Sequence, residues 1–81
     1  MCRNITTLRG LEPPATEAEI RAACEQFVRK VSGVTRSSAR TRDAFDAAVG
    51  DTAAVVTALL VELPARQRPP KTVPPLRRLA D

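Results

Sequence analysis

The stretch PPATEAEIRAACEQFVRKVSG, from Pro13 to Gly33, spells out a helix together with both of its ends. Thr16 followed three residues later by Glu19 is a capping-box pattern: the hydroxyl accepts from a first-turn amide and the carboxylate reaches back to the threonine amide. Pro13 and Pro14 keep the approach extended, because a residue before proline avoids helical angles. Ser32-Gly33 is the stop, since glycine takes the left-handed conformation without a Cβ clash. Between these signals Ile20, Ala23, Cys24, Phe27, Val28 and Val31 recur at helical spacing and predict one apolar stripe facing a core. Glu17–Arg21 and Glu25–Arg29 are i,i+4 pairs in the favourable order. Arg29 and Lys30 stand in the last turn, where the helix dipole favours cations.

Outward from this helix, residues 34–42 form a polar connector rich in Ser, Thr and Arg, and a second helix is predicted from about Thr41 to Leu63, stopped by Pro64. Its main stripe is Phe45, Ala48, Val49, Thr52, Val56, Leu59, Leu60 and Leu63. The opposite side carries Ala47, Gly50, Ala54, Ala58 and Val61, where a surface helix ordinarily shows lysine and glutamate. Small residues let another backbone come close, so this side is a candidate self-association face. The alternative is an exposed face that is merely alanine-rich, which alanine's helix propensity alone explains. The N-terminal arm, the tail or a second copy could each cover it.

Residues 1–12 carry Ile5, Leu8 and Leu11 at spacings of three and are expected to lie as an extended or single-turn arm over the helices. After Pro64 the composition changes: five of the seven prolines (Pro64, Pro69, Pro70, Pro74, Pro75) alternate with Arg and Lys. Such a segment favours polyproline II or disorder, with Leu76 and Leu79 available to dock as a short turn. The expected architecture is all-α: an antiparallel two-helix hairpin with an N-terminal arm over residues 1–63, and a flexible or loosely docked Pro/Arg-rich tail over 64–81. At 81 residues a single core is marginal, so self-association would help, and a homodimer through the Ala/Gly face is the expected assembly.

Charge and absences bound the chemistry. The net charge of +4 lies wholly in the tail, because residues 1–63 balance eight basic side chains against eight acids. The chain has no His, Trp or Tyr. The commonest general base and metal ligand is therefore missing, as are most aromatic platforms for single-stranded nucleic acid. Gly10, Gly33 and Gly50 are scattered and build no phosphate-cradling loop. No catalytic constellation is recognised, and no cofactor is expected. Carboxylate neighbours such as Glu17/Glu19 and Asp43/Asp46 are explained by the first-turn dipole preference.

Three places could still carry chemistry. Cys2, exposed as an N-terminal residue if Met1 is removed, would pair an amine with a thiol as a nucleophile or half of a metal site, with Arg3 favouring the thiolate; the plainer reading is an inert terminus. Cys24 lies on the inner stripe and reads as a small core hydrophobe. The connector cations Arg36, Arg40 and Arg42 precede a helix N-terminus and could hold an anion; the plainer reading is a solvated loop. The tail cations Arg66, Arg68, Lys71, Arg77 and Arg78 could neutralise nucleic-acid phosphates, weakly and without sequence preference; the plainer reading is a solubilising tail. No long apolar run follows Met1, and the uncharged stretch Thr52–Val61 is about half of what spans a bilayer. A cytoplasmic protein with reduced cysteines and no membrane partner is expected.

Taken together, Met1-Cys2-Arg3-Asn4-Ile5, Pro13-Pro14-Ala15-Thr16, Phe27-Val28-Arg29-Lys30-Val31-Ser32-Gly33, Ala44-Phe45-Asp46 and Pro69-Pro70-Lys71 resemble the domain of unknown function 2277 family of short bacterial proteins. The resemblance spans nearly the whole chain and implies a small, mostly helical bacterial protein, with no activity, substrate or catalytic residue attached. The chain departs from it at Arg9-Gly10-Leu11, where an aromatic-containing stretch is expected, and at Cys24-Glu25, where Ala-Leu is expected.

Overall fold

The structure, a computed structural model, describes residues 5–34, 38–64, 69–70 and 72–80, the last three of these by backbone alone. Three helices follow in chain order: α1 (Glu17–Ser32), α2 (Arg42–Glu62) and α3 (Pro75–Ala80), and no strand occurs among the described residues. α1 and α2 pack on one another as the hairpin that the two stripes require.

α1 starts and stops where its sequence directs. The Thr16 hydroxyl accepts from the Glu19 amide at 3.1 Å, and Glu19 Oε1 accepts from the Thr16 amide at 2.8 Å, completing the capping box. Gly33 has φ +75° and donates its amide to Arg29 O at 2.9 Å, so the left-handed stop is present and needs a residue without Cβ. Glu25 and Arg29 pair at 3.7 Å on the outer side. α2 enters through a turn in which the Ser38 carbonyl accepts from the Thr41 and Arg42 amides. The Thr41 hydroxyl is bonded to the Ser38 amide instead of capping the helix. At the far end Leu63 is extended, as a residue before proline must be, and its amide closes the last turn onto Leu59 O.

The core is small. Ile20, Cys24 and Val28 from α1 meet Phe45 and Val49 from α2, with Val49 fully buried. Leu8, Ala15, Val34, Ala48, Ala53, Val56 and Leu60 border this cluster. The arm adds Leu11, which is buried behind a turn at Arg9-Gly10 where Gly10 has φ +90°. Arg9 ties the arm to the end of α2 through Nε and Nη2, both donated to Pro64 O at 3.0 and 2.6 Å.

One part of the expected packing differs. Phe27, placed by its spacing on the inner stripe, is 51% exposed, and Val31 and Leu59 are exposed with it. Only one row of α1, the i,i+4 series Ile20–Cys24–Val28, enters the contact with α2. The adjacent row Ala23–Phe27–Val31 rides on the rim, because a single partner helix covers less than the full stripe. At the C-terminus, expected to be flexible or loosely docked, residues 75–80 form α3, and Pro74 before it is buried. Pro75 opens α3, a position where the missing amide costs nothing and the ring pre-sets φ. Leu76 is not the docking residue; it is exposed.

Candidate interaction surfaces

The strongest polar constellation lies where α3 meets the start of α1. Arg77 donates Nε to Glu19 Oε2 at 2.6 Å and Nη2 to Glu19 Oε1 at 3.2 Å, a forked guanidinium–carboxylate pair. The same Nη2 lies 2.6 Å from Pro13 O and 3.1 Å from Pro14 O. Those two carbonyls precede the α1 ladder, which begins at Thr16 O accepting from the Ile20 amide. Glu19 is only 5% exposed. Burial works against its charged form. Hydrogen bonds from Arg77 and from the Thr16 amide, with the Arg77 charge, outweigh burial and hold the carboxyl below its ordinary value of 4.5.

A second surface is a shallow apolar groove between the helices, about 430 Å³, floored by Ala23 and Cys24. Phe27 stands on one side, Thr52, Val56 and Leu60 on the other, and Ile5 and Leu8 close one end. Cys24 is a buried free thiol whose pKa burial pushes up, with the Arg21 charge opposing, so it is poorly disposed to ionise. Thr6 Oγ1, at the edge of the same groove, is buried without a hydrogen-bond partner.

The third surface is the outer side of α2. Ala47, Ala54, Ala58 and Val61 are exposed there, Val61 by 79%, and Gly50 is half-buried. Among the described residues nothing lies within 4 Å of where a Cβ on Gly50 would stand, so no described part of the chain presses on that point. Ala54 and Ala58 also line an open hollow shared with Glu17, Ala18 and Arg21 of α1. Val55 and Leu59 extend the exposed apolar surface toward the groove. Among the described residues α2 is the one helix long and apolar enough, by length and composition, to cross a membrane, and 11% of its most apolar window is buried.

The candidate site residues fall apart in space. Arg77 is engaged by Glu19 and two carbonyls, so its guanidinium is turned into the protein and not presented to a phosphate. Arg40 and Arg42 are exposed at the entry to α2. Cys2, Arg36, Arg66, Arg68 and Lys71 lie outside the described residues, as does the side chain of Arg78. Among the described residues no three of His, Cys, Asp and Glu gather as a metal site. Sequence reasoning found Thr16 and Glu19 as a cap but missed Glu19 as the tail's anchor. The available signal was Pro74-Pro75 followed by Arg77, a helix start with a cation on its first turn.

No curated protein and no solved structure matches the chain. One family model, described as an uncharacterized conserved protein (DUF2277), matches residues 1–80. A helical hairpin matched over all but its last residue thus belongs to the DUF2277 family.

Proposed function

We propose that this protein is a non-enzymatic helical interaction module that self-associates through the outer side of α2. The observation that carries this reading is the exposure of an apolar, small-residue face on the longest helix, with Ala47, Ala54, Ala58 and Val61 in solvent. Among the described residues, the chain's own candidates for covering it are engaged elsewhere. The arm is tied to Pro64, and α3 is tied to the start of α1. A second copy is the occupant we infer.

The spacing of the face also suits a two-fold pairing. In an antiparallel pair of α2 helices crossing at Ala54, Ala47 meets Val61, Gly50 meets Ala58, and Ala54 meets itself, a self-complementary arrangement of the kind a dimer axis requires. With no long side chain in the contact, the axes can approach to the low end of the usual separation of about 8–10 Å. Asp51 near the middle of α2 also disfavours a bilayer as the covering medium, where a carboxylate is costly.

The direct test is Ala54→Glu. It places two carboxylates against each other on the axis without disturbing the α1–α2 core. Dissociation of the dimer should rise by at least about a hundredfold in sedimentation or dilution experiments, with helical content unchanged. An Ala54→Glu protein that associates like the parent would remove the α2 face from consideration.

A further inference from the structure

Three oxygen-bearing groups that belong to no helix ladder converge on one guanidinium: the Glu19 carboxylate and the Pro13 and Pro14 carbonyls. The arrangement suits arginine specifically. Its planar fork offers two nitrogens to the two carboxylate oxygens at once, which an ammonium cannot do. Beside this cradle Pro74 is buried, so the docked segment has one apolar anchor and one charged anchor three residues apart. Among its described side chains little else holds it: Val73 and Leu76 are exposed, and a helix of six residues has no stability of its own. None of its described side chains joins the Ile20–Val49 cluster, so the segment can open without that cluster being broken.

We propose that the cradle at the start of α1 is a receptor for a proline-flanked arginine, and that residues 72–80 occupy it as an exchangeable strap, displaced by the same segment supplied in trans. A second copy of this chain is the natural source of such a segment. The strap is independent of the α2 face, so either can fail without the other.

The test uses the full-length chain carrying Arg77→Ala, which empties the cradle, and a labelled peptide of residues 72–80 followed by fluorescence anisotropy. The Arg77→Ala protein should bind this peptide. The parent protein should bind it at least about tenfold more weakly, because its own tethered segment competes at an effective concentration in the millimolar range. A peptide carrying Arg77→Lys should bind more weakly than the native one, and a peptide carrying Arg77→Ala should not bind. A helical Arg77→Ala protein that ignores the native peptide, or that binds the Arg77→Ala peptide equally, overturns the proposal. So does loss of the helical signal in Arg77→Ala, which would make the segment part of the core. Hydrogen exchange on the unaltered chain reads the same point. The Arg77 amide, donated to Pro74 O at 3.0 Å, should exchange at least about a hundredfold faster than the amides of Val28 and Val49. Exchange in step with those core amides would contradict a strap.

Discussion

Glu19 is one carboxylate with two tasks. Its Oε1 completes the capping box of α1 and its Oε2 takes the shorter of its two bonds from Arg77, so the start of the first helix and the docking of the last are one network. Because its folded pKa is depressed, the stabilisation it brings is full above pH 4.5 and is lost as pH falls through the folded value. Unfolding midpoints measured from pH 7 down to pH 3 should therefore drop in the parent protein, and the gap between parent and Glu19→Gln should narrow over that range. A constant gap would mean the charge of Glu19 is not what matters. Gly33 presents a simpler case. A Cβ there meets nothing within 4 Å, yet φ is +75°, so Gly33→Ala suffers backbone strain without a clash. It should lower stability by about 1 kcal/mol in denaturant titration, whereas Gly50→Ala, in open space on helical backbone, should raise it by about the same amount. That second gain applies to the isolated chain; within a close helix pair the added methyl would oppose it.

At the scale of the element, the two long helices owe their order to different causes. α1 carries its own signals, a capping box, complementary end charges and a left-handed stop. α2 has no side-chain cap and no cation in its last turn, and relies on packing against α1. Val49 is the centre of that contact and is wholly buried, so Val49→Ala should cost about 2–4 kcal/mol, read from the shift in thermal midpoint. A substitution on the opposite side of α2, such as Ala58→Ser, should change monomer stability by less than about 0.5 kcal/mol. If the two behaved alike, the inner and outer faces would have been misassigned.

For the whole molecule, the hairpin was legible because helix periodicity and end signals are local: Thr16, Glu19, Gly33 and Pro64 each act within one turn of themselves. The exposure of Phe27 was not, since a stripe says which residues are apolar but not how wide a strip one partner can cover. Nor was the Arg77–Glu19 link, which joins residues 58 positions apart; proline and arginine content described the tail's average behaviour and concealed one specific contact. The outer face of α2 was legible as a composition and remained exposed in the folded chain, leaving among the described residues a core of six buried hydrophobic side chains, with Pro74 buried besides. A core of that size in a chain of 81 residues is near the lower limit for independent stability, which is why a partner for α2 gives the most economical account of its sequence.

The proposed partner is a second copy, and the mass of the protein in solution tests that proposal most directly. Sedimentation equilibrium of the unaltered chain at micromolar concentration should return twice the 8.8 kDa chain mass, with Ala54→Glu returning the single-chain value. A folded single chain of 8.8 kDa persisting to millimolar concentration would contradict the account.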